Sequence, residues 1–350
     1  MKSTSSFLTA VVILGLLCGC SRETTSDAED QSAEPTATSD PRADEQVATN
    51  PAEEETVGQT RSFEFRYAGR VKKTGSRLRI WLPIPQTTSD QTVEVVSRKP
   101  DGMTMASEPA YGNRIGYFES DGTKSLDFEL VYRIQRRELK SESSGTETAD
   151  EISDRFLKSN KNVPLEGKHL SLLEGLPGTD DPLELMRQLY LRVDEHVAYD
   201  KSQPGYGNGD VLWVCDSRTG NCTDFHSLFI AWSRAKGIPA RFEIGFPLPP
   251  ERGEGSIGGY HCWAQFHIAR QGWVPVDISE ADKHPEMKDY YFGNLTENRV
   301  QFTVGRDLVL APPQQGDPLN YFVYPYAESD DGAALAKDDF ELEFSFRDVD

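Results

Sequence analysis

The chain has 350 residues, room for more than one domain, and 37% of them are hydrophobic. Its formal net charge of −20 argues against nucleic acid as a partner, because phosphate binding needs a basic surface. An acidic surface otherwise serves solubility and says nothing about fold.

Lys2 opens the chain with a positive charge, and Phe7 to Leu17 form an apolar run too short to span a bilayer. The run ends Leu17-Cys18-Gly19-Cys20, which resembles the bacterial lipobox. In that motif the last cysteine is diacylglyceryl-modified and becomes the mature N-terminus. Residues 1–20 are therefore expected to be a lipoprotein signal peptide, with Cys20 as the lipidation site. The lipid anchor would hold an exported protein at a cell or outer membrane face, in the bacterial envelope or periplasm. Residues 21–58 are rich in Ser, Thr, Ala, Asp and Glu and nearly devoid of large apolar side chains. Such a composition cannot bury enough surface to offset ordering, so a disordered acidic linker is expected. Its r.m.s. reach would be on the order of 35 Å.

From Arg61 the period becomes two: Phe63, Phe65 and Tyr67 alternate with polar residues, as do Leu78, Ile80 and Leu82, and later Leu126 to Ile134. Turn signals such as Asp101-Gly102 and Asp121-Gly122 separate the runs. Residues 61–140 read as a small β-sandwich without His or Cys, hence without chemistry of its own. A polar break from Lys140 to Thr148 marks a domain boundary before a second domain spanning 150–350.

That second domain opens with an amphipathic helix beginning at Pro182 and ending near Val197. The Gly-rich loop Gln203 to Asp210 lacks a phosphate-cradling pattern, and no cofactor is expected. Next comes a helix whose N-cap would be Asn221, with Phe225, Leu228, Phe229, Trp232 and Ala235 on one face and a stop at Gly237. Arg241 to Phe246, Gly258 to Ile268 and Gly272 to Asp277 read as strands, the last two joined as a hairpin. Further strands are expected near Val300–Val304, Tyr321–Tyr324 and Phe340–Phe346. Helices early and strands late give an α+β arrangement.

Cys222 falls in the first turn of its helix, where free N–H groups and the helix dipole favour a thiolate. A thiol nucleophile needs a base and a group to orient that base. With a hairpin turn centred near residue 270, His261 and Asp277 fall close to opposite each other, so the register permits a carboxylate–imidazole hydrogen bond. His226, four residues after Cys222, reads as a hydrogen-bonding core histidine. Its rivals are competition for the thiolate and a partial metal site with Cys222 and Asp224, but no fourth ligand is evident. Trp263 could line the groove or pack in the core. Trp213, Tyr199 and Asp216 are upstream candidates for a second oxyanion donor beside the Cys222 N–H. Asp200, Asp210 and Asp216 are loop acids that leave calcium open without forming an EF-hand pattern. Cys215 and Cys262 could pair as a disulfide or remain buried thiols.

Gly220-Asn221-Cys222, followed by Arg234, Gly237 and Arg241, resembles the signature of the transglutaminase-like superfamily, as do His261-Cys262-Trp263 and Trp273-Val274-Pro275-Val276-Asp277. The resemblance covers about residues 180–312. It implies a papain-like α+β core with Cys222 as nucleophile, His261 as base and Asp277 as orienting carboxylate. The implied chemistry is acyl transfer through a Cys222 thioester, on a peptide bond or a glutamine carboxamide of a protein or peptide substrate. Water as acceptor gives an amidase or peptidase; a lysine amine gives a crosslinker. The alternative is a catalytically silent binding or scaffold module at the envelope.

Overall fold

The computed structural model describes residues 58–72, 74–141 and 154–349. The leader, Cys20, nearly all of the acidic linker and most of the polar break lie outside these residues. The strands of the first part are β1 (Thr60–Val71), β2 (Leu78–Ile84), β3 (Gln91–Lys99), β4 (Thr104–Ser107), β5 (Arg114–Ser120), β6 (Leu126–Arg137) and β7 (Leu139–Lys140). Then follow α1 (Pro182–His196), β8 (Ala198–Tyr199), α2 (Val211–Ser217), β9 (Thr219–Gly220) and α3 (Cys222–Ala235). The remainder is β10 (Ala240–Pro247), β11 (Glu254–Ser256), β12 (His261–Ile268), β13 (Gly272–Val276), α4 (Ile278–Lys283), β14 (Asn294–Leu295), β15 (Arg299–Val304), β16 (Tyr326–Ser329) and β17 (Phe340–Asp348).

Alternation makes the first part β. Phe63, Phe65 and Tyr67 of β1 and Phe128, Leu130, Tyr132 and Ile134 of β6 are buried, while Glu64 and Arg66 between them are half-exposed. These strands do not form a self-contained sandwich. The five-stranded sheet runs β11-β17-β1-β6-β3 and the second runs β16-β2-β5-β4, so strands from the far end of the chain complete both. An aromatic cluster joins the layers: Phe246 of β10 lies 5.3 Å from Phe65, 5.2 Å from Phe302 and 4.5 Å from Phe344. A division at residues 140–150 therefore does not describe the sheets, because β16 and β17 belong with β1 to β6.

The α+β core is built around α3, which packs on the sheet β13-β12-β10-β15. The helix is enclosed on all sides rather than on one face, with Cys222 through Arg234 buried. Its polar positions are satisfied internally: the Ser227 and Ser233 hydroxyls donate to the carbonyls of Thr223 and Phe229. Arg234 donates to Ala240 O, Lys158 O and Asn160 Oδ1. Tyr321–Tyr324, expected as a strand, is irregular; the strand follows at Tyr326.

Candidate active site

The start of α3 is built by its own sequence. The Asn221 side chain accepts from Thr223 N at 2.8 Å, and Asp224 Oδ2 accepts from Asn221 N at 2.8 Å, a reciprocal capping box. Asp224 also accepts from Gly207 N at 2.7 Å and Gly209 N at 2.9 Å, so the Gly-rich loop is tied to the helix start. A Cβ at Gly220 would come within 2.5 Å of the Asp224 side chain, so only glycine fits before the cap. Asp224 is thus committed to three backbone donors. Among the described residues, no protein acceptor takes the Cys222 N–H.

Cys222, His261 and Asp277 meet where three elements end. His261 begins β12, and Asp277 follows β13 as the N-cap of α4. Ala264 pairs with Val276, so continuing the ladder sets Asp277 opposite Trp263, with His261 one diagonal step along the same face. That offset still gives a 2.8 Å contact between His261 Nε2 and Asp277 Oδ2. Nε2 being taken, Nδ1 is the ring nitrogen left for the thiol. The three are nearly closed to solvent, at 2%, 5% and 0% exposure.

Burial opposes ionisation of the Cys222 thiol, but hydrogen bonds from Cys262 and His261 and the His261 charge outweigh it, holding the thiol well below its ordinary range. Burial likewise disfavours the imidazolium, yet the Asp277 carboxylate and the Cys222 sulfur raise His261 to about 10. For Asp277 the desolvation cost is overcome by His261 and Arg299, which hold it well below the carboxylate range. The three shifts describe a thiolate–imidazolium pair backed by a carboxylate.

His226 has a different task. Its Nε2 accepts from Ile278 N at 3.0 Å, so the ring proton sits on Nδ1, facing Cys262 Sγ at 3.7 Å. Burial lowers it to about 4. The 3.8 Å approach of His226 Nε2 to Asp277 Oδ1 is thus a contact of a neutral ring, not an ion pair. His226 fastens α3 to α4 and does not compete for the thiolate proton. Cys262, its thiol pushed far up by burial and by Cys222, is a neutral S–H neighbour.

Other expected residues lie farther out. Trp263 Nε1 donates to Glu243 Oε2 at 2.6 Å, and its ring carries the Arg299 guanidinium, 4.9 Å from the centroid. Arg299, absent from the sequence expectation, donates from Nη1 to Asp277 Oδ2 at 2.9 Å. Tyr260 was also missed: its hydroxyl accepts from Asn221 Nδ2 at 3.0 Å and lies 2.9 Å from Thr223 Oγ1. Tyr199, in β8, carries Lys283 Nζ 4.0 Å from its ring centre, and Trp213 packs its indole edge against Gly205. The three loop acids are engaged separately: Asp200 with Ser202, Asp210 as the cap of α2, and Asp216 with Lys168. Cys215 and Cys262 are free thiols, not a disulfide.

A family model described as the transglutaminase-like superfamily matches residues 171–278, a segment that contains Cys222, His261 and Asp277. The chain carries a transglutaminase-like core. Its architecture is similar to the crystal structure of a candidate cysteine protease from Cytophaga hutchinsonii, with a TM-score of 0.55, 14% identity and coverage of 83% of this chain and 91% of that one. That likeness concerns the fold alone. A protein of unassigned function from Haemophilus influenzae is 28% identical over 302 residues, covering 73% of this chain and 82% of its own. A protein-glutamine gamma-glutamyltransferase from Pseudomonas aeruginosa is 26% identical over 224 residues. That match covers 57% of this chain but only 33% of the glutamyltransferase.

Proposed function

We propose that the protein is a thiol acyltransferase or hydrolase acting on peptide or glutamine carboxamide carbonyls, with Cys222 as nucleophile, His261 as acid and base, and Asp277 as the orienting carboxylate. The observation that carries this reading is the buried His261–Asp277 bond of 2.8 Å beside the Cys222 thiol at the head of α3, whose ionisation the His261 charge favours. The thiolate adds to the carbonyl carbon, and the oxygen, gaining negative charge, is met by the free Cys222 N–H at the head of α3. The His261 imidazolium protonates the departing nitrogen, the C–N bond breaks, and a thioester remains. Water or an amine then adds to the thioester while His261 takes its proton, and the thiolate leaves. The glutamyltransferase relative supports glutamine as the acyl donor. The leader supports an exported, Cys20-anchored enzyme facing protein or peptide substrates at the envelope. Among the described residues, no helix is long and apolar enough to cross a membrane.

One observation favours the rival reading of a silent module: Cys222 is only 2% exposed, which restricts approach to the sulfur. Iodoacetamide labelling separates the two. Cys222 should be alkylated rapidly at neutral pH, and on the order of tenfold or more slowly in His261→Ala. Slow labelling of the natural protein, unchanged by that substitution, would remove the ion pair and the enzyme reading. A glutamine peptide incubated with and without a labelled amine, with products weighed by mass spectrometry, then identifies the acceptor. Cys222→Ala should abolish both products.

A further inference from the structure

Asp277 answers to two cations. Oδ2 accepts from His261 at 2.8 Å and from Arg299 Nη1 at 2.9 Å, while Oδ1 is occupied by Ser279 Oγ at 3.2 Å and Glu280 N at 3.3 Å. Arg299 heads β15, outside the segment matched by the family model, and is 3% exposed. Removing a guanidinium from water is costly unless its partner is well placed, and truncating either member strands the other charge. Among the described residues, Asp277 is its carboxylate partner and Arg299 Nε has no acceptor, so this arginine is not a fully satisfied structural brace.

Its plane is set from behind. The guanidinium lies over Trp263, whose ring cannot turn because Nε1 donates to Glu243 Oε2 at 2.6 Å. Glu243 is itself fixed by Gln265 Nε2 at 3.1 Å and Arg241 Nε at 2.8 Å. A relay of oriented groups thus runs from Glu243 through Trp263 and Arg299 to Asp277, and ends on the imidazole.

We propose that Arg299 is a positioning residue of the thiol site: through Asp277 Oδ2 it fixes the rotamer and charge of the carboxylate, and through that carboxylate the ring of His261. This rests on the Cys222–His261–Asp277 reading above. Arg299 also places a fourth charge in the site, so that thiolate, imidazolium, carboxylate and guanidinium sum to zero. Losing the guanidinium leaves a net negative site, and both Cys222 and His261 then hold their protons to higher pH.

Other titratable and charged groups face the pair and stay in place when Arg299 is changed. From α3 these are Cys222 and His226, the latter neutral above about pH 4; from β12, His261 and Cys262. From α4 they are Glu280, 4.0 Å from His261 Nε2, and Lys283. Tyr190 of α1 and Tyr291, both pushed up by burial, complete that side. Arg136 of β6 and Tyr290 face Arg299, and Glu243 of β10 faces Arg136.

The test uses the full chain with Arg299→Met and Arg299→Lys, reading Cys222 alkylation rate against pH together with kcat and KM on a glutamine peptide. Arg299→Met should move the acid limb of alkylation upward by about half to one pH unit. Its kcat should fall on the order of tenfold at constant KM, the usual cost of losing an outer partner that orients a working imidazole. Arg299→Lys should return the limb, since the charge is kept, but recover kcat only in part, because a lysine cannot hold the planar fork. An acid limb that Arg299→Met leaves in place overturns the proposal alone. A natural chain without any acid limb overturns the triad reading and the proposal with it. Should Arg299→Met not fold, Arg299→Lys decides: natural kcat in that variant overturns the positioning role, and a reduced kcat at constant KM with an unmoved limb upholds it.

Discussion

Two buried histidines flank Asp277, and their hydrogen bonds send them in opposite directions. His261 donates a hydrogen bond from Nε2 to a carboxylate and is raised to about 10, whereas His226 accepts a backbone N–H and is lowered by burial to about 4. The consequences for stability have opposite signs. An unfolded chain binds a proton at residue 226 near pH 6.5, the folded chain only near 4. Acidification through that window therefore favours unfolding, by at most about 3 kcal/mol from this residue. His169 and His196, also lowered by burial, add in the same direction. The His261 share runs the other way: it is fully present below about pH 6.5 and lost as pH rises towards 10. The melting temperature of the natural protein should fall between pH 6.5 and 4, and fall less steeply in His226→Gln, whose amide can replace the acceptor without titrating. Equal slopes would show that His226 takes up its proton without cost. At this scale Cys222, His261 and Asp277 were legible because helix start and hairpin register are local signals. Arg299 was not, since a lone arginine at the head of a strand has no period and no motif to announce it.

Between elements, the site depends on how closely β10 lies between its neighbours. Gly245 pairs with His261 on one side, and the β10–β15 register shifts at Ile244/Gly245 on the other. A Cβ there would fall 1.8 Å from Val300 O, beside Arg299. Gly245→Ala should cost about 2–4 kcal/mol, since backbone rather than a flexible side chain must yield. It should also lower activity beyond the stability loss by moving Arg299 off Asp277; urea melts paired with kcat measured on the folded fraction would separate the two. The long helices were legible from apolar spacing, α1 ending at His196 where Val197 was expected. The helices α2 and α4 were not, because spans of seven and six residues offer too few repeats for a period, and their aspartate caps resemble ordinary turns. Tyr321–Tyr324 misled in the opposite sense. Its aromatics look strand-forming, but two of them pack on Tyr260, with the Tyr260 and Tyr321 rings 5.5 Å apart and the Tyr324 hydroxyl accepting from Tyr260 N.

For the molecule as a whole, the α+β class followed from the order of patterns, whereas the sharing of sheets between chain ends did not. Strand pairing across nearly the full length leaves no local trace; β1 shows only that it needs partners. It finds β6 on one edge and β17 on the other, from Phe63 with Asp348 to Val71 with Phe340. A chain ending before Phe340 would bare that edge and lose the buried Phe344 and Phe346, whose burial is worth about 1.5–3 kcal/mol each. Against a total of about 5–15 kcal/mol, this should abolish the cooperative urea transition. A truncated chain that melted sharply and at the same midpoint would contradict it.

The same pairing sets an order in time. Among the described residues, β17 is made long after its neighbour β1, and β11 pairs there with that late strand alone. Closing a contact almost the length of the chain is slow compared with forming the hairpin that holds His261. Maturation of the site should therefore wait on the arrival of β17, and a chain interrupted before it would remain open to proteolysis. The closing strand acts as a check that the sheet it completes has been made.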